Sequence, residues 1–187
     1  MTGCRKMPLK GLSRVHLKAH ARFFGGWAQV TAPGYPPKVK GVWKYLYRAV
    51  DKDGKTVDFL LTAKRDMAAA KRFFDKAMRT NGDPEKVAMD RSGANKAAID
   101  AINVGRGVPI VVRQVKYLNN IVEQDHRAIK RVTRPMLNFK SFRCAGCVLA
   151  GVELMHMIRK GQVAIDDADA MSFADQFYAL AGQIRPV

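Results

Sequence analysis

Apolar residues recur along this chain with two different periods. In residues 42–50, VWKYLYRAV, Val42, Lys44, Leu46 and Arg48 alternate with Trp43, Tyr45, Tyr47 and Ala49. That alternation, with its aromatic and β-branched content, predicts a strand. Asp51 to Lys55 predicts a hairpin loop with Gly54 at a positive-φ position, and residues 56–64, TVDFLLTAK, the returning strand. From Met67 the period becomes helical. Ala70, Phe73, Phe74, Ala77 and Met78 share one face of a helix over 67–82, closed by Asn81-Gly82. Lys86–Met89 predicts a short strand, residues 94–105 a helix, and residues 108–117, VPIVVRQVKY, a strand whose nearly unbroken Val and Ile content predicts cover on both faces.

A helix over Lys116–Pro135 follows, with Ile121, Val122, Ala128, Ile129 and Val132 on its apolar stripe. Residues 137–161 predict a long, mostly apolar and largely buried helix, and residues 171–182 a last amphipathic one. Residues 1–37 show neither period. Gly25-Gly26 and the Pro33-Gly34-Tyr35-Pro36-Pro37 run predict a loosely organised start. Two antiparallel strands followed by strand–helix alternation predict a mixed α/β sheet flanked by helices.

Charge narrows the function. The 187 residues carry a formal net charge of +17, yet 48% are hydrophobic. A foldable chain with that excess calls for a polyanionic partner, nucleic acid first and an anionic membrane surface second. The first acidic residue is Asp51. No run of 18 apolar residues exists, so no transmembrane helix and no membrane partner are expected. Cys4, Cys144 and Cys147 make no disulfide framework, which fits a reducing cytosol. Cys144 and Cys147 form a lone C-x-x-C without a second pair, so they are expected to be packing residues of a buried helix rather than half of a zinc site.

Two acids stand out. Asp90 ends a strand just before a Gly-containing turn and a helix, where ligand sites of open α/β sheets gather. The alternative is that Asp90 or Ser92 caps that helix. Glu123 heads a stripe continued by His126, Arg127, Lys130 and Arg134 on the face opposite the apolar one. A metal-holding carboxylate beside a basic track suits an enzyme acting on a phosphodiester backbone. The alternative is ordinary helix surface, since Asn120 and Glu123 have capping-box spacing and Glu–cation pairs at i, i+4 are common. Neighbouring strand ends could bring Asp90 and Glu123 to one Mg²⁺ or Mn²⁺.

Five ordered stretches carry a family resemblance: VKGVWKYLYRAVDKDG, FLLTAKRDMAAAKRFF, the DRSGAN turn, VKYLNNIVEQDHRAIKRVTRPM and FKSFR…LAGVELMHMIRKGQ. Together with MSFADQFYALAG they resemble bacterial insertion-sequence transposases of the compact, cointegrate-forming group with a single DDE domain, over about residues 38–182. The resemblance implies a ribonuclease-H-like fold, an integrase core, and two-metal DNA strand cleavage and transfer by an Asp, Asp, Glu triad. It places the second Asp at Asp90 and the Glu at Glu123, both as catalytic metal ligands. On the charge pattern, DNA contacts are expected from His126, Arg127, Lys130, Arg131, Arg134, Lys140 and Arg143, with a solvated surface histidine as the alternative for His126. The partners the resemblance implies are transposon ends and target DNA, with a homo-oligomer or pairing with an intact transposase, in a bacterial cytoplasm.

The first catalytic Asp has no counterpart. Its expected position, a few residues before the KVKG at 38–41, holds Thr31, Ala32 or Pro33. The usual N-terminal helix-turn-helix is not recognisable either. The division expected is therefore a divergent, basic and poorly ordered 1–37 left by truncation or a frame shift, a catalytic core over 38–161, and a C-terminal link and helix over 162–187. The two-ion site is expected to be incomplete and the activity impaired. A non-catalytic DNA-binding remnant is the alternative.

Overall fold

The computed structural model describes residues 27–31, 37–114, 127, 129–163 and 171–184. Its five-stranded sheet is built around a strand that the hydrophobic pattern does not announce. This strand, β1 (Trp27–Thr31), lies in the middle. On one side it pairs antiparallel with β4 (Tyr45–Asp51), on the other parallel with β6 (Lys86–Met89). β5 (Thr56–Thr62) returns antiparallel beside β4, and β7 (Val111–Gln114) runs parallel beside β6. The order β5-β4-β1-β6-β7, three antiparallel strands continued by two parallel ones, is the ribonuclease-H-like mixed sheet that the resemblance implies. The expected strand at 42–50 is broken at Lys44. Its first residues pair instead as a small hairpin, β2 (Lys38–Val39) with β3 (Val42–Trp43). Lys40 and Gly41 form its turn at φ 51° and 77°, the backbone that a two-residue hairpin loop demands.

Alternation along β4 sorts the two layers. Tyr47 and Ala49 meet α1 (Met67–Asn81) and α2 (Gly93–Asn103) through Ala70, Phe73, Phe74, Ala98 and Ile99. Leu46 faces the other way, with Phe59 and Leu61, onto Ile129 and Leu149. Leu149 belongs to α3 (Phe142–Arg159). Arg48 shares that face, and its guanidinium donates to Glu153 of α3 at 2.9 Å and to the Thr56 hydroxyl at 2.8 Å. Both side chains of the ion pair are fully buried. A bulge makes the contact possible. Ala49 pairs with Asp58 and Val50 with Thr56, leaving Val57 as the extra residue. The bulge turns Val57 toward α1 and Thr56 toward α3. Gln162 then clamps the Thr56 backbone, accepting from its N–H and donating to its carbonyl, each at 2.9 Å. The last helix, α4 (Phe173–Ile184), rests on the end of α3 through Leu180, Phe177, Met157 and Ile158.

Three expectations need correction. β7 is the sheet edge, and Val111 is 50% exposed, so its Val and Ile run does not mark cover on both faces. α3 buries one stripe, Ala145, Leu149, Glu153 and Met157 at i, i+4 spacing, rather than most of its surface. Cys144 and Cys147 lie off that stripe and are exposed, so they are not packing residues. A strand inside 1–37 is a further addition to the sequence reading: β1 ends at Thr31, before Pro33 can interrupt its ladder.

Candidate functional site

The parallel register between β1 and β6 fixes what stands beside Asp90. Val30 pairs with Met89, so one step further along both strands Thr31 comes level with Asp90. Asp90 therefore sits where two parallel strands end together at the middle of the sheet, beside the start of α2. The turn holds the carboxylate with three long contacts. One oxygen accepts from the Ser92 backbone N–H at 3.3 Å and from the Asn95 amide at 3.4 Å. The other accepts from Arg65 at 3.4 Å. Ser92 is the N-cap of α2 but makes no side-chain capping bond, and the one backbone N–H that Asp90 accepts from is that of the cap residue, its contact with the first turn being the Asn95 side chain. Capping alone thus gives little account of an acid at this position.

The surroundings of Asp90 are only partly satisfied. Asn95 and Tyr47 are fully buried, and among the described residues the Asn95 carbonyl oxygen and the Tyr47 hydroxyl have no hydrogen-bond partner. Burial pushes the Tyr47 hydroxyl above the ordinary tyrosine range, and the charges of Asp66 and Asp90 push the same way against Arg65 and Arg72. These are two groups that sequence reasoning missed. A lone Asn in a helix start and a Tyr in an aromatic-rich strand carry no periodic signal that separates them from core.

Whether the residues present fit a pair of divalent ions can be judged from the donors. Among the described residues no group of three or more His, Cys, Asp or Glu could hold a metal ion. Asp90 brings one carboxylate, and that carboxylate already meets Arg65. Thr31, level with it, is not an acid. Asp58 cannot substitute. It pairs in register with Ala49 on β5, three strands from β6, roughly 14 Å across the sheet, and is bound by Lys76 at 2.5 Å. Asp51 sits at the hairpin end of β4, level with Ala28, its carboxylate accepting from the Asp53 and Lys55 N–H groups. The described donor set therefore does not fit a two-ion centre. Glu123 and His126 lie outside the described residues.

The expected DNA-contacting cations that are described lie between Arg127 and Arg143. Ile129 anchors the helical segment 129–133 onto Leu46 and Leu149. Arg127, Arg131, Arg134, Lys140 and Arg143 are exposed and Lys130 is half-buried. Val132, assigned to the apolar stripe, is 49% exposed, so only Ile129 of the described part of that stripe is buried. No helix of the described residues is long and apolar enough to cross a membrane.

Comparison with known proteins gives a consistent picture. A family model described as a DDE domain matches residues 37–162. The transposase for insertion sequence-like element IS431mec of Staphylococcus aureus is 38% identical over 125 residues, covering 66% of this chain and 54% of that protein. The Staphylococcus aureus transposase for insertion sequence element IS257 in transposon Tn4003 matches to the same extent. The chain thus spans about half the length of these curated relatives. Among solved structures, the HTLV-2 integrase catalytic core domain in complex with magnesium superposes with a TM-score of 0.47 at 18% identity, covering 60% of this chain and 72% of that one.

Proposed function

The chain belongs to the DDE-domain family of insertion-sequence transposases, and from that premise we propose that it engages transposon and target DNA while its own strand cleavage is impaired. The observation that carries the proposal is the pairing of Val30 with Met89, which brings Thr31, the next residue of β1, level with Asp90 just past the end of β6. In the assigned triad Asp90 and Glu123 are the two retained Mg²⁺ or Mn²⁺ ligands, and the place for the first Asp holds no acid. A bridging ligand is the one whose loss such a centre tolerates least. Loss of a supporting group behind a metal ligand already costs roughly 10–100-fold in affinity or activity, so loss of a ligand itself costs more.

DNA is held in this proposal by His126, Arg127, Lys130, Arg131, Arg134, Lys140 and Arg143, and the net charge of +17 supports a polyanionic partner. The second reading is a DNA-binding subunit that pairs with intact transposase and performs no chemistry. The Arg65–Asp90 contact favours it, because a cation already occupies one side of the carboxylate. Metal-dependent nicking of a transposon-end duplex separates the two, with Glu123→Ala as the blank. Weak nicking above the blank supports an impaired enzyme. No difference from the blank, with DNA binding retained, supports the binding subunit. Nicking as vigorous as that of a complete triad would overturn both.

A further inference from the structure

The β2–β3 hairpin is a small sheet of its own. It closes through Lys44 N–H donating to the Pro37 carbonyl at 2.8 Å. Phe139 then pairs beside Val39, donating its N–H to the Lys38 carbonyl and accepting from the Lys40 N–H, each at 2.9 Å. Between hairpin and loop lies an open pocket of about 240 Å³ whose walls include Lys38, Trp43, Arg134, Leu137 and Asn138. β4 leaves the sheet at Tyr45, beyond the row where Arg48 pairs with Thr31, so the hairpin and Asp90 lie at the same end of the sheet.

The chemistry of this pocket is specific. Trp43 is 46% exposed, and the Lys38 ammonium stands 4.3 Å from the centre of its ring. Leu137 is 85% exposed at φ 50°, and Asn138 follows at φ 91°. Two consecutive non-glycine residues in the left-handed region are uncommon, and such backbone gathers at binding sites. Here the corner displays an apolar side chain at the pocket mouth. Among the described residues no acidic side chain lines it. Its volume falls below the roughly 300–1,000 Å³ of drug-sized ligand sites. An aromatic face, two cations and room for one flat group describe a stacking platform inside an electrostatic funnel.

We propose that this pocket takes one unstacked base of single-stranded DNA, with Lys38 and Arg134 on the flanking phosphates. The proposal rests on the DNA-acting reading above and deepens it. An arriving phosphate draws the Lys38 ammonium off the Trp43 ring, and the base takes the face that it leaves.

The test uses the full chain with labelled oligothymidylate and a duplex of equal length, titrated across a salt series. Trp43→Ala is expected to weaken single-strand binding about tenfold, as loss of one stacked base does, with the slope of log K against log salt unchanged. Trp43→Phe retains most of the affinity. Arg134→Ala lowers the single-strand slope by about 0.7, the increment for one phosphate. Duplex binding stays as it was in Trp43→Ala. The exposed neighbour Val42 on the same strand gives the control, and Val42→Ala leaves both affinities unchanged. Equal loss on single strand and duplex, loss in Val42→Ala, no loss in Trp43→Ala, or preference for oligouridylate would overturn the assignment. Failure of the unaltered chain to bind any oligonucleotide would instead overturn the DNA-acting reading beneath it.

Discussion

Single residues decide most of what this domain can and cannot do. The buried Arg48–Glu153 pair joins the sheet to α3 with both side chains at 0% exposure. Glu153→Ala removes a carboxylate partner from the buried Arg48 guanidinium and should cost up to about 3–5 kcal/mol in urea unfolding. Arg48→Met combined with Glu153→Leu should recover much of that, because no charge is then left unpaired. Tyr47 behaves differently. Its hydroxyl is buried without a partner among the described residues, and its raised pKa means that the fold holds the phenol proton more tightly than the unfolded chain does. Its contribution is therefore fully present below the unfolded tyrosine value of about 10 and is lost as pH rises from there through the higher folded value. Tyr47→Phe should leave stability at neutral pH unchanged or slightly higher and flatten its decline at alkaline pH, read as urea midpoints across a pH series. Neither role could be read from the sequence. Arg48 showed only as a polar position in an alternating strand, and its partner lies 105 residues away on a helix of apolar appearance.

At the scale of elements the sequence was legible wherever period and punctuation agreed. Lys86–Met89 is a strand with the expected ends, and the helix expected at 67–82 spans Met67–Asn81, with Asp66 capping its start and Gly82 at φ 86° closing it. Gly54 takes its expected positive φ of 76° in the hairpin loop. Legibility failed where tertiary cover overrides pattern. β7 reads as covered on both faces but exposes Val111, and α3 reads as buried but covers the sheet with one stripe. It failed most at β1. WAQVT offers five residues beside a Gly pair and a Pro-rich run, too short for a period to show. Yet β1 joins β4 to β6, and without it the sheet falls into two pieces with raw edges. A chain lacking residues 1–36 retains the whole of the family match, which begins at residue 37. It should nevertheless lose the single cooperative unfolding transition of the full chain. A sharp, full-amplitude transition in that truncated chain would show that β1 is dispensable.

For the whole molecule, the family is secure, and the proposal concerns how much of its activity survives. Charge should govern DNA affinity. Neutralising Arg127, Lys130 and Arg134 together should lower the duplex slope of log K against log salt by roughly 2–3, since each released phosphate contact contributes about 0.9. An unchanged slope would move the DNA face to another surface. The candidate centre was legible only in part. Asp90 stands out in the sequence because a strand end before a Gly turn is a chemical address, whereas what stands beside it is defined by register across two strands. The measurement that bears most directly on the central claim is isothermal titration of Mn²⁺ into the unaltered chain and into Thr31→Asp. The account predicts no tight two-site binding in the unaltered chain and a gain in affinity when an acid stands level with Asp90. Tight binding of two ions by the unaltered chain would contradict it, showing that another acid completes the set.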